Sequence, residues 1–219
     1  MTKATRRAKE PHASPSAHGA VALRGALALD LINTEVMDRG KKRDTLPSPE
    51  ALARWWEAAC KRYPDQCVSE RADETINWTS ELFDAVLELR RALRMLITHV
   101  VERGAVEEEN LKPLNAILAL GYSAIERTGE GNVKPVMRLH DPEKGSVLVP
   151  IALSALRLFT ESDWRRLHQC KNDRCILFFY DTTKNGARRW CSADCMNRAR
   201  SIHQYQLAKK KPSQKASAE

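Results

Sequence analysis

Cys170 and Cys175, then Cys191 and Cys195, stand near the C-terminus as two pairs, with four, fifteen and three residues between successive members. Zinc in a structural role prefers thiolate ligands, and two close pairs separated by a hairpin-sized loop let one short segment supply all four corners of a tetrahedron. The spacing predicts a four-cysteine zinc site. A metal bound this way folds the segment that binds it, and four sulfurs leave no open position for a substrate or an activated water. Cys60 and Cys67 lie far from this group and are read as semi-buried thiols. The division of six cysteines into four plus two, with the reducing cytoplasm expected below, disfavours three disulfides. His168, two residues before Cys170, is a spare ligand that four thiolates make unnecessary, so it is expected at the surface.

The charge is distributed unevenly around this site. Residues 164–219 carry 13 Lys and Arg against 4 Asp and Glu, a balance of +9, whereas residues 1–163 carry 23 against 24. Four thiolates around one zinc lower the local total by two. The remainder still suits salt-sensitive binding to a polyanion, and nucleic acid is the expected partner, DNA before RNA. Candidate contacts are Lys184, Arg188 and Arg189 ahead of the third cysteine, and Arg198 and Arg200 beyond the fourth, joined by His203 and Tyr205. Guanidinium groups fork onto phosphates or guanine edges, and aromatic rings stack on bases. Arg188 and Arg189, adjacent on an expected strand, face opposite ways. The alternative is a zinc-stabilised protein-interaction module that docks an acidic protein.

The elements that must position these residues can be read from periodicity. Residues 1–20, without apolar periodicity, are expected to be a disordered tail. Leu23, Leu27, Leu31 and Ile32 predict a buried helix to about Val36, followed by a charged loop over 38–47. Ser48, Pro49 and Glu50 form a strong helix start, with Leu52, Trp55, Trp56 and Ala59 on its apolar side and Tyr63 and Pro64 closing it. A long helix is expected from Asp73 to Arg103, with Leu82, Val86, Leu89, Leu93, Leu96 and Val100 as its stripe and Gly104 as its stop. Another runs from Glu107 to Ala124. Val133–Leu139 and Val147–Val149 flank the turn-like Asp141–Gly145 and suggest a β-hairpin, after which Pro150 starts a helix. In the zinc segment, Ile176–Tyr180 and Arg188–Trp190 are expected to pair across Asn185-Gly186. Ser192 caps a helix that carries Cys195 in its first turn, where backbone N–H groups stabilise thiolate. Phe178 and Trp190 are assigned to the core of the small zinc module.

This order of loop pair, hairpin and helix pair resembles zinc-ribbon and treble-clef modules. The string Trp190-Cys191-Ser192-Ala193-Asp194-Cys195-Met196-Asn197-Arg198 resembles the signature of the CGNR zinc-finger family, with Asp181 and the Asn185–Trp190 stretch fitting the same pattern. Leu27 to Thr34, reading Leu-Ala-Leu-Asp-Leu-Ile-Asn-Thr, resembles the opening of the ABATE domain that precedes such fingers. The resemblance covers roughly residues 23–208 and implies a bacterial stress-induced transcription regulator whose finger binds DNA or RNA. Met196 stands where the family has glycine, which would permit close backbone approach to a phosphate or thiolate. Arg200 replaces the usual lysine two residues after the motif arginine. Asn197 and Trp190 are read as structural support for the metal clip, with a ligand-facing Asn197 as the alternative.

The expected fold is mainly α: a helical ABATE-like domain with a small β-hairpin over 21–163, a CGNR-type finger over 164–208, and a basic tail over 209–219. No phosphate-binding glycine loop, His-Glu-x-x-His pair or nucleophile elbow is present, so binding rather than turnover is expected. Asp30, Asn33 and Glu35 lie near the end of the first helix. Asn33 is assigned to a cap or buried hydrogen bond, with a small-molecule pocket as the alternative. The helical domain is read as an effector-sensing or dimerising unit. No apolar run reaches membrane-spanning length, and the basic N-terminal stretch has no hydrophobic segment after it, so a cytoplasmic location is expected.

Overall fold

The computed structural model describes residues 26–67, 76–129 and 131–210. The tail expected at 1–20 lies outside the described residues, as does 211–219 of the tail expected at 209–219, whose first two residues instead end the last helix, Ala193–Lys210. Helix α1, Ala26–Ile32, is short and mostly buried, with Leu27, Leu31 and Ile32 fully enclosed and Asp30 partly exposed. Helices α3 (Ser80–Arg103) and α5 (Pro142–Thr160) cover it, and Ser154 of α5 accepts a hydrogen bond from the Ala28 N–H at 3.1 Å, satisfying one of the helix's orphan donors. The helix does not continue to Val36. Thr34 turns back to bond the Leu31 carbonyl at 2.6 Å, and the expected charged loop is a hairpin of β1, Glu35–Asp38, with β2, Lys41–Asp44. Arg39 and Gly40 take φ of +49° and +82° at its tip, as a primed hairpin turn requires. Its strands carry no apolar alternation because they cover little core.

Helix α2, Pro49–Arg62, begins as expected, with Ser48 accepting from the Ala51 N–H and with Leu52, Trp56 and Ala59 buried. The turn beyond it folds back onto the last helical turn through bonds to the Tyr63 carbonyl. That return joins Cys60 to Cys67 as a disulfide, Cα to Cα 5.3 Å, correcting the reading of two free thiols. Helix α3, Ser80–Arg103, starts later than the periodicity suggested, because Thr79 caps it and residues 76–79 are not helical. Gly104 ends it at φ +66°. Its buried stripe is the expected one, enlarged by Ile97 and by the guanidinium of Arg90. Arg90 donates to Thr34 Oγ1 at 2.9 Å and to Asp44 at 2.7 Å, pinning the β1–β2 hairpin to α3.

Helix α4, Glu108–Leu118, stops before Gly121, and β3, Gly121–Arg127, pairs antiparallel with β4, Val133–Leu139. The predicted partner strand at Val147–Val149 is instead part of α5, Pro142–Thr160, and Pro150 lies inside that helix rather than at its start. Asp141 accepts from the Lys144 N–H, and Pro142 and Glu143 fill the first turn, so the apparent hairpin turn is a helix start. A short apolar run covered on every side reads alike as strand or helix, and Val147 to Ala152 is such a run. The tip of the β3–β4 arm stands off the core, with Ile125 78% and Val133 67% exposed.

Helices α1, α3 and α5 form the centre, with α2 and α4 against α3. The C-terminal module adds β5, Leu167–Gln169, β6, Phe178–Tyr180, and α6, Ala193–Lys210. Leu167 and Phe178 belong to the same apolar core as α1, α3 and α5. Phe178 is therefore core of the helical domain, not of the small module to which its sequence position assigned it.

Candidate metal centre

The strand that pairs with β6 is β5, ahead of the first cysteine pair. Leu167, His168 and Gln169 face Tyr180, Phe179 and Phe178, so Cys170 and Cys175 sit on the knuckle between two short strands. Arg188–Trp190 does not form the expected strand. It is a return loop held by two backbone anchors: the Lys171 N–H bonds the Arg189 carbonyl at 2.9 Å, and the Arg188 N–H bonds Asp181 Oδ2 at 2.8 Å. Asp181 is fully buried and also accepts from the Thr183 N–H at 2.8 Å. Burial works to raise its pKa, but these hydrogen bonds outweigh it and hold the carboxyl below its ordinary value. Gly186, at φ +60°, lets the loop turn where Asn185-Gly186 announced it.

Helix α6 delivers the second pair. Ser192 accepts from the Cys195 N–H at 3.2 Å, which makes it the expected cap. Inside the knuckle, Asn172 donates through Nδ2 to the Cys195 carbonyl at 2.8 Å and accepts from the Arg174 N–H at 2.9 Å. This buried amide ties one cysteine pair to the other. Sequence reasoning passed over it, although an Asn two residues into the loop between Cys170 and Cys175 is well placed for such a turn. The four sulfur atoms lie within 4.8 Å of one another, with Cys175 and Cys191 3.7 Å apart and Cys191 and Cys195 3.5 Å apart. A tetrahedron with Zn–S bonds of about 2.3 Å has edges of about 3.8 Å, so the spacing fits zinc. The electrostatics fit as well. Contacts with Cys175 and Cys191 lower the Cys170 thiol below its ordinary value, and the same contacts with Cys170 raise Cys175 and Cys191. One thiolate suppresses its neighbours at this distance, and a divalent cation is what allows all four to ionise together. The four-cysteine group is a zinc site. No other cluster of metal-ligating side chains forms among the described residues.

The remaining predicted residues divide sharply. Lys184, Arg189, Arg198 and Arg200 are exposed and form no salt bridge among the described residues. Arg188 is committed internally: its guanidinium donates to the Trp190 carbonyl at 2.9 Å and to the Cys191 carbonyl, and lies 4.8 Å over the Phe179 ring. It supports the return loop and is corrected from the contact set. Trp190 packs half-buried against the cysteines, as expected of a supporting residue. Asn197 does not support the clip. Two positions after Cys195, it lies about 200° around the helix and is exposed. His168 is half-buried against Phe179 rather than at the surface. Met196 adopts ordinary helical backbone, so nothing in this chain requires a glycine there.

Two side chains of the helical domain reach the knuckle. The ladder bonds from Cys170 N to Leu177 O and from Asp181 N to Arg166 O leave Phe178 with its N–H and C=O turned away from β5. Asn33 fills that edge. Its Nδ2 donates to the Phe178 carbonyl at 2.8 Å, and its Oδ1 accepts the Phe178 N–H at 2.9 Å. Arg94 donates to the Ile32 carbonyl at 2.6 Å and to the Ile176 carbonyl at 2.7 Å, pairs with Glu35 at 3.3 Å, and lies over the Phe178 ring. Asn33 is therefore a half-buried hydrogen-bonding residue, in line with the first of the two assignments. Asp30 is ion-paired with Arg62.

A zinc knuckle closed by a hairpin and a helix, joined edge-on to a helical core, defines the class: a zinc-finger protein of treble-clef build. The chain belongs to the ABATE family, described as "Putative stress-induced transcription regulator", whose profile matches residues 25–162. Residues 166–206 match the CGNR zinc finger. A search of curated proteins finds no match. No helix among the described residues is long and apolar enough to cross a membrane.

Proposed function

We propose that the protein is a cytoplasmic transcription regulator of a stress response that binds nucleic acid through its zinc-held finger and acts by binding rather than turnover. The observation that carries this reading is the set of exposed cations, without a salt bridge among the described residues, at Lys184, Arg189, Arg198 and Arg200 on a segment of balance +9. These side chains face solvent, where phosphate can displace their counterions, although the Arg189 guanidinium also lies 5.3 Å over the Trp190 ring. Four thiolates saturate zinc and leave it no Lewis-acid position, which supports a scaffold role. The test is fluorescence anisotropy of the zinc-loaded full chain with random duplex DNA and single-stranded RNA across a salt series. The expected result is a binding constant that falls linearly in log-log form with salt, and binding lost on chelation. Salt-independent binding, or binding that survives loss of all four cysteines, refutes the reading in favour of an acidic protein partner or a site elsewhere.

A further inference from the structure

The geometry points to duplex DNA as the nucleic acid, with α6 lying in the major groove and its Asn197, Ser201 and Gln204 face directed at base edges. This rests on the nucleic-acid reading above and goes beyond it by fixing the partner's form and the reading face. Helix α6 has 18 residues, about 27 Å of length. Only one side of it is used by the fold: Cys195 is buried, and Met196, Ala199 and Ile202 are half-buried toward the knuckle. On the opposite side Asn197, Ser201, Gln204 and Ala208 follow one another at spacings of four, three and four, and every one is exposed. The stripe is uncharged, and Asn197, Ser201 and Gln204 make it polar over most of its length.

The cations lie on its two margins. Arg198 and Lys209 border one side of the stripe, with the Lys209 ammonium 5.0 Å over the Tyr205 ring between them. Arg200 borders the other, about 200° around the helix from Arg198. The only acid on α6 is Asp194, in its first turn. A flat surface or a single phosphate ridge meets one margin at a time. A groove walled by phosphates on both sides meets both, and the major groove of B-DNA, about 12 Å wide, admits a helix about 10–12 Å across. The deep, narrow major groove of A-form RNA does not. Asn and Gln are also the side chains whose amides bond bidentately to adenine N6 and N7, which are displayed in that groove.

The test uses the zinc-loaded full chain, selection from a random duplex pool, and the exposed variants Arg198→Ala, Arg200→Ala, Asn197→Ala and Gln204→Ala. Each arginine variant is expected to weaken binding to all duplexes and to lower the salt slope by about one. Each amide variant is expected to relax the preference at one or two base pairs by about 5- to 150-fold while leaving non-specific binding unchanged. Replacing the selected adenines by 7-deazaadenine should mimic the amide variants. If the wild type prefers single-stranded RNA, or if only one arginine matters, or if both amide variants keep the selected sequence, the groove inference falls while nucleic-acid binding stands. If no nucleic acid binds at low salt, both fall.

Discussion

Replacing Asn33 by alanine removes the one side chain that completes the free edge of β6. Two hydrogen bonds of 2.8 and 2.9 Å disappear together, and the Phe178 N–H and C=O lose their partners next to a side chain only 2% exposed. A lost hydrogen bond that leaves one buried polar group unpaired costs about 1–3 kcal/mol, and water entering the half-buried site recovers part of that. The expected destabilisation is about 2 kcal/mol, which for a chain of this size lowers the melting temperature by about 4–8 °C. The decisive measurement is local. Asn33→Ala should speed amide exchange in β6 and accelerate zinc transfer to a chelator, although Asn33 touches no cysteine. Asn33→Asp keeps the acceptor for the Phe178 N–H but sets a carboxylate against the Phe178 carbonyl, so it should rescue nothing. A loss below about 0.5 kcal/mol in Asn33→Ala, with unchanged zinc transfer, would refute the claim that this amide joins finger to core.

Two further outcomes follow from the same geometry. Cys191→Ser, at the sulfur that lies within 3.7 Å of both Cys175 and Cys195, should abolish stoichiometric zinc by elemental analysis while Cys60→Ser retains it; equal metal content in the two variants contradicts the site. Asp44 is raised by burial but held below its ordinary 3.8 by the outweighing bonds from Arg90. A depressed carboxyl stabilises the fold above its unfolded pKa and loses that contribution as pH falls through the folded one. Asp44→Asn should thus be less stable than the parent at about pH 6, with the gap in urea midpoint closing below about pH 4; a constant gap rules out the ion pair as its source.

The metal site and the long helices were legible because their signals are local. Cysteine spacing encodes ligand geometry directly, and the Leu82 to Val100 stripe is long enough for its period to be unambiguous. The hairpins were misplaced for two different reasons. The β1–β2 strands bury almost nothing, so no alternation marks them, and an Arg39-Gly40 turn is a weaker signal than Asn-Gly. Val147–Val149 failed in the opposite way, being so enclosed that no polar face reveals its helical period. In the finger, Arg188–Trp190 lost the pairing contest to Leu167–Gln169 because Asp181, buried by the fold, binds the Arg188 N–H that a strand would have needed.

Asn33 shows what sequence patterns omit. Within its own neighbourhood it looked like a helix cap, and its partner lies 145 residues away. The consequence reaches the finger's independence. A treble clef standing alone closes its own small core, but here Leu167 and Phe178 point into the helical domain, and Arg94 satisfies the Ile176 carbonyl immediately after Cys175. Separating the two parts would expose two large apolar side chains, at about 1.5–3 kcal/mol each, and would strip hydrogen bonds from the strand that follows the knuckle. Zinc at Cys175 and the helical core at Ile176 and Phe178 therefore hold the same short stretch of chain, and whatever loosens one reduces the hold of the other.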